Sequence, residues 1–245
     1  MKRSKSAFVL FMVLIAGSLL TSCHFRTIGG DGNVVTKEIA VSDYQELLVE
    51  GGNIELVYTQ SNAAPFLQIE TDQNILDLLE TEVSGDELSI RPKDHQTSIN
   101  PTCFKIKTNS KQLKDLKIGG QGEGVISGTL TSDELDLSFA GSGILTADSL
   151  IVNNLECDIA GSGKLVLGGK AENTKIKAAG SCEVRAFGLT TEKLDCKAAG
   201  SNDIEITVNQ EINSKMAGSG NLKYKGNPAQ VHNNSVGSVS VTHVE

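Results

Sequence analysis

The sequence predicts an all-β fold, a single-stranded parallel β-helix or closely related β-solenoid with coils of about 20 residues. An inserted β-rich segment with one short helix interrupts it. Three observations carry this expectation. Of the 25 glycines, 18 lie at or after Gly119, and they recur at a regular interval. The residues on both sides of each recurrence alternate between apolar and polar. No proline occurs between Pro101 and Pro228, as continuous hydrogen-bond ladders require. Glycine at about a tenth of the chain, with four prolines, excludes collagen. A charged fraction of 21% beside 39% hydrophobic residues argues against disorder.

The elements follow in chain order. Lys2, Arg3 and Lys5 precede an apolar run from Ala7 to Leu20, short for a membrane span and suited to a secretory leader. The run ends in Leu20-Thr21-Ser22-Cys23, which resembles the bacterial lipobox. Residues 1–22 are then a signal peptide, and Cys23 is acylated and becomes the new N-terminus. Residues 23–27 form a short tether. Cleavage removes three of the 22 basic residues, leaving 19 against 30 acidic ones, a balance of −11. Such a chain has no general attraction for nucleic acid or anionic lipid, so acyl chains on Cys23 make the tie to the membrane.

Residues 28–245 form the domain. Ile28-Gly29-Gly30-Asp31-Gly32 parallels Ile118-Gly119-Gly120-Gln121-Gly122. Leu47, Val49, Gly51, Ile54 and Leu56 read as a further coil whose turn is shortened by one residue. An excursion over residues 58–111 holds strands near Phe66–Glu70, Glu87–Arg91 and Phe104–Thr108. Between the first two, Asp72 caps a helix whose Ile75, Leu76 and Leu79 share a face. His95 to Pro101 reads as a polar loop.

The repeat proper is built on Ala-Gly-Ser-Gly at 140–143, 160–163 and 217–220, with variants between and beyond. The anchor glycines are Gly120, Gly141, Gly161, Gly180, Gly200, Gly218 and Gly237, between 18 and 21 residues apart. Four before the anchor stand Leu116, Leu137, Cys157, Ile176, Cys196 and Ser214. Two before are Ile118, Phe139, Ile159, Ala178, Ala198 and Met216. Four after come Leu145, Leu165, Val184, Ile204 and Leu222. Period two on both sides of a glycine turn means two strands per unit, each with one buried face. A unit of this size cannot bury that face alone and must stack on its neighbours, about 4.8 Å per coil.

At this point the chain resembles the head GIN domain family. The residues that carry the resemblance are the lipoprotein start, Gly-Asn-Val-Val at 32–35, Tyr44-Gln-Glu-Leu, Gly51-Gly52, the segment from Ile75 to Val83 and the repeated Ala-Gly-Ser-Gly. It covers nearly all of residues 28–240. The resemblance implies a β-helical exported domain of the auto-transporter adhesin kind, and it supplies no motif of catalytic residues.

No constellation in the sequence specifies chemistry. His24, His95, His232 and His243 stand apart from any metal-ligand spacing, and no metal or cofactor is implied. The serines at the corners recur in every unit and mark a structural ladder. Cys157 and Cys196 share an inward column with Ile176 between them, about 10 Å apart and beyond disulfide reach. Cys182 is expected to point outward at its turn. Among outward positions, Lys177, Lys197 and Lys215 make a stripe suited to a polyanion, set in a face of mixed charge. Tyr44, Tyr58, Phe104 and Phe187 are the aromatics expected at the surface, few for a glycan-binding site.

The function expected is a lipid-anchored, non-catalytic binding protein of the cell envelope, adhesin-like, whose rigid repeat face meets a glycan or an envelope or host protein. In the lipoproteins this chain resembles, acids beside the acylated cysteine often accompany surface export; none follows Cys23, so the resemblance implies the outer membrane on its periplasmic side. Two alternatives stay open: a glycan-active enzyme on the same scaffold, with residues 58–111 as a cleft wall and Asp158 or Lys177 in its chemistry, and a structural envelope-assembly protein.

Overall fold

The computed structural model describes residues 26–94 and 96–245. Residues 1–22, expected to be a signal peptide, together with Cys23, His24 and His95, lie outside the described residues. In chain order the elements are β1 (Arg26–Gly29), β2 (Val34–Ile39), β3 (Glu46–Gln60), β4 (Phe66–Asp72), α1 (Gln73–Leu76), β5 (Leu79–Ser84), β6 (Glu87–Pro92), β7 (Thr97–Asn100), β8 (Phe104–Ser110) and β9 (Asp115–Ser127). The second half continues as β10 (Leu130–Gly180), β11 (Glu183–Lys225), β12 (Gln230–Asn233) and β13 (Val236–His243). The fold is all-β, in open sheets, with one helical turn among the described residues.

The repeat sets the pairing. Strand β10 lies parallel to β9 with Leu137 opposite Leu116 and Gly141 opposite Gly120. It lies parallel to β11 with Ile176 opposite Cys196 and Gly180 opposite Gly200. Strand β13 is parallel to β11, with Gly218 opposite Gly237 and Leu222 opposite Val241. Each register is one repeat. The long runs β10 and β11 also stack on themselves: Asn153 donates to Asp133 at 3.1 Å and Asn173 to Asn154 at 3.1 Å, one repeat apart in sequence.

The anchors explain why glycine recurs. Gly161 has φ +109°, and a β-carbon there would sit 2.4 Å from the Gly141 carbonyl oxygen. Gly180, Gly200, Gly218 and Gly237 each stand in the same relation to the anchor one unit earlier. The corner needs both a left-handed backbone and an approach closer than any side chain permits. The inward columns expected from the alternation are buried: Leu116, Leu137, Cys157, Ile176 and Cys196 in one, Leu145, Leu165, Val184, Ile204 and Leu222 in another.

The first half departs from a uniform parallel array. The main sheet is mixed, in the order β12-β11-β10-β9-β3-β8-β4-β2. Within residues 58–111, β6 and β8 lie parallel to β3, with Leu88 opposite Leu47 and Ile106 opposite Leu56, so that they continue the stack as a layer. Strands β4, β2 and β5 then pair antiparallel and close that end. Strands β5 and β6 are joined by a tight hairpin turn, which forbids parallel pairing, whereas β4 pairs with β2 and β8 across longer connections.

Three local expectations are corrected. The coil at Gly51 is longer by one residue, not shorter. Gly51 pairs with Gly120, but Ile54 pairs with Gly122 and Leu56 with Gly124. Asn53 takes up the extra residue at φ 52° and donates to the Pro101 carbonyl at 2.8 Å. Asparagine tolerates this left-handed backbone better than other non-glycine residues. Thr97–Asn100 is strand β7 rather than loop, paired parallel with β1, Ile28 opposite Ile99. Leu79 starts β5 and is not on the helix face.

Asp72 precedes α1 but makes no side-chain cap. Its carboxylate is fully buried and accepts from Gly32 N at 2.7 Å, Thr102 N at 2.7 Å and Thr102 Oγ1 at 2.6 Å. Gly30 packs so closely on it that a β-carbon would lie 2.1 Å from a carboxylate oxygen. Asn74 adds two bonds to the same segment, accepting from Asp31 N and donating to the Gly29 carbonyl. Residues 29–33 are thereby fastened to the closing layer.

Candidate functional site

The face worth attention lies just before the corners. Positions four and two before each anchor point inward, so positions five, three and one before it point outward. The position one before is alanine in five successive units: Ala140, Ala160, Ala179, Ala199 and Ala217, all exposed. The position three before holds Ser138, Asp158, Lys177, Lys197 and Lys215. The structure brings the expected lysine stripe together: Lys177 pairs with Lys197 in register, and Lys215 follows one unit on.

The stripe is not uniformly free. Lys177 bonds to Glu156 and lies 3.2 Å from Asp158. Glu156 also holds Lys175 at 3.0 Å. The bonds to Glu156 and then Asp158 hold the Lys177 ammonium above the usual lysine range. The Lys177 bond in turn keeps the Glu156 carboxyl below its ordinary value, against the effect of burial. Lys197 stands 3.5 Å from Asp195. Lys215 forms no ion pair with the described residues. Asp158 keeps its other oxygen, Oδ1, buried without a hydrogen-bond partner. Further along the acidic column, Asp136 is pushed up by burial and by the nearby carboxylates of Glu156, Asp115 and Asp158.

Beside the lysines runs a shallow open trough of about 530 Å³ spanning five units, from Ser138 to Lys215. Ala140, Ala160, Ala179 and Ala199 of the alanine column line it, and their small side chains leave the depression. A second, polar trough of about 540 Å³ lies on the other flank, lined by Asp136, Glu156, Asn173 and Lys193 among others. Among the described residues no group of three histidines, cysteines or carboxylates could hold a metal ion.

Two expectations about side chains fail. Cys182 is buried, its sulfur 3.8 Å from the Ile159 and Ala179 carbonyl oxygens. The position two after the anchor continues the inward alternation through the corner, and Asn202 is buried there too. Burial raises the Cys182 thiol above its ordinary value and pushes Cys196 up to about 12. Tyr44, Tyr58 and Phe104 are buried, not at the surface. The Tyr44 hydroxyl meets Thr108 Oγ1 at 2.6 Å and Tyr58 meets Ser110 Oγ at 2.8 Å, so each phenol is satisfied inside. Phe66, 46% exposed on β4, is the large surface aromatic that pattern reading placed only in a strand.

With repeat, register and face in place, comparison decides the kinship. Residues 43–228 match the family described as "Putative auto-transporter adhesin, head GIN domain". The chain belongs to the head GIN domain family. Three crystal structures resemble it closely. A putative lipid binding protein from Parabacteroides distasonis ATCC 8503 is 32% identical, with a TM-score of 0.73, covering 90% of this chain and 100% of that one. A putative adhesin from Bacteroides fragilis NCTC 9343 is 26% identical with a TM-score of 0.79, covering 89% and 100%. A putative adhesin from Parabacteroides distasonis ATCC 8503 is 30% identical with a TM-score of 0.70, again covering 89% and 100%. No curated protein matches the chain. The head GIN description is of an adhesin, not an enzyme, and points to the cell envelope or surface. Among the described residues no helix is long and apolar enough to cross a membrane.

Proposed function

We propose that this head GIN protein is a lipid-anchored, non-catalytic binding protein of the cell envelope. Its repeats wind as a β-solenoid whose outward face meets a partner. The observation that supports this best is the register. Anchors stack glycine on glycine, so equivalent outward positions repeat at a fixed step and form a rigid, regular face. On that face many charged side chains pair across units, Lys175 and Lys177 with Glu156 and Lys177 with Asp158, which favours binding over turnover. The lipobox ending at Cys23 supplies the anchor, in the outer membrane and on its periplasmic side. The partner is a glycan, an envelope or host protein, or, by the name of the Parabacteroides distasonis neighbour, a lipid.

Metabolic labelling with a palmitate analogue in a bacterium that processes lipoproteins tests the anchor. The wild-type chain takes the label and sediments with membranes, and Cys23→Ala does neither. Protease treatment of intact cells leaves the domain uncut. An unlabelled, soluble wild-type chain would sink the anchoring reading. Deletion with no change in adhesion, envelope integrity or partner recovery would sink the binding role.

A further inference from the structure

We infer that the last coil is the contact surface for a second copy of this chain, two copies meeting end to end through β12 and β13 about a two-fold axis. This goes beyond the binding reading above and does not depend on it.

The edge comes first. Strands β12 and β13 each pair with β11 on one side, and among the described residues no strand pairs with them on the other. A bare edge is a template for another strand, and monomeric proteins blunt it with charge, proline, a bulge or a cover. The opposite end does so: its edge strand β2 carries exposed Lys37 and Glu38. The last coil does not. Residues 226–244 hold no Lys, Arg, Asp or Glu, the longest such run within residues 26–245. Neither β12 nor β13 contains a proline or a register shift. In a chain with 30 acidic and 22 basic residues, two copies meet here without like charges facing each other. The core is open at the same place. Ile212 and Leu222 are fully buried, yet Val231, opposite Ile212, is 40% exposed, and Val241, opposite Leu222, is only partly buried.

The pattern about the corner selects a second copy and its direction. Inward positions stand two, four and six residues to either side of Gly237: Ser235, Asn233 and Val231 before it, Val239, Val241 and His243 after it. The chain runs toward the corner in β12 and away from it in β13. A two-fold axis through the corner therefore lays β12 of one copy antiparallel on β13 of the other, and does so twice. Val231 then meets His243, Asn233 meets Val241 and Ser235 meets Val239, inward on inward, so the two cores become continuous. An unrelated single strand covers one arm only. A second copy covers both and closes the array, as an isologous contact does. Head-to-tail growth is disfavoured, because the other end presents the charged edge of β2.

The test uses the full mature chain with Cys23→Ser, so that acyl chains do not drive association. Sedimentation velocity over a dilution series is expected to show the mass doubling as concentration rises, with no larger species. Val231→Lys sets a charge on the open end and keeps the chain monomeric at concentrations where the parent is dimeric, with an unchanged circular dichroism spectrum. Val34→Lys, the same change at a valine 44% exposed on β2, leaves the dimer intact. Cross-linking reads the register without disturbing the core. His232→Cys and Thr242→Cys, both at exposed outward positions, face each other across the two-fold axis. Oxidation of a mixture of the two variants joins one to the other, whereas neither variant joins to itself and the parent gives no cross-link. A folded chain that stays monomeric at every concentration overturns the inference. So does a dimer that Val231→Lys leaves intact or that Val34→Lys abolishes, or a mixture of the two cysteine variants that fails to cross-link. A monomer whose native counterpart is still labelled at Cys23 and membrane-bound would leave the anchoring reading standing.

Discussion

Replacing Asp72 with asparagine is the sharpest probe of how the first layer is fastened. The carboxylate accepts three hydrogen bonds: one oxygen takes Gly32 N and Thr102 Oγ1, the other takes Thr102 N. An amide of the same shape has one accepting atom. If its nitrogen replaces the first oxygen, it faces Gly32 N–H; if the second, it faces Thr102 N–H. Either way one buried backbone donor meets a donor. An unpaired buried donor costs about 1–3 kcal/mol, and the remaining bonds lose the assistance of a charge. The expected loss is roughly 2–4 kcal/mol, a large share of an ordinary domain's stability. With a slope of about 3 kcal/mol per molar urea, the midpoint falls by roughly 1 M. The pH dependence has a definite sign. Burial opposes the charge, but the bonds from Thr102 and Gly32 outweigh it and hold the Asp72 carboxyl below its ordinary value. A depressed folded value means a contribution present above the unfolded value of about 3.9 and lost as pH falls through the folded one. The gap between wild type and Asp72→Asn is therefore full at neutral pH and narrows only in acid. Urea titrations of both chains at several pH values measure it. Equal midpoints at neutral pH, or a gap that widens in acid, would refute the reasoning.

The repeat yields three more expectations. Leu165→Asp puts an unpaired carboxylate into a buried column that contributes roughly 1.5–3 kcal/mol per side chain, and should unfold the domain, whereas the part-exposed Lys177→Gln should cost less than about 1 kcal/mol; circular dichroism separates them. Gly161→Ala meets both a left-handed backbone and the Gly141 carbonyl, so thermal unfolding should show a loss of about 2 kcal/mol or more. Cys157, Cys182 and Cys196 are buried thiols raised by burial, so all three should resist alkylation at pH 8 in the native chain and react in denaturant.

Much of the architecture was legible because the repeat reports on itself. Period-two alternation placed Leu137, Ile176 and Leu165 in the core, and glycine marked the corners. The errors share a cause. Where one element's neighbour is distant in sequence, the pattern carries no record of it. Tyr44 and Tyr58 looked amphipathic and exposed, because Thr108 and Ser110, the groups that satisfy their hydroxyls, lie about fifty or more residues away. Strand β7 reads as polar because it is short, with the buried Ile99 as its one inward apolar residue, and its partner β1 is distant in sequence. Cys182 is a case where the alternation was in view and a single non-glycine residue at a corner obscured it. The lysine stripe was legible as a column; its neutralisation by Glu156, Asp158 and Asp195 depends on side-chain reach across units, which spacing alone does not give.

The glycine-on-glycine corners make the height of the molecule adjustable in whole steps. Every unit presents the same upper and lower edge to its neighbours, so a deletion that joins Ala160 to Gly180 would restore the Ala-Gly corner and remove one layer without touching the closing strands at the far end. Each such step changes the reach of the outward face by about 4.8 Å. The array is a ruler with a fixed graduation, and its length can be tuned, by evolution or by design, independently of what its first layer is fastened to.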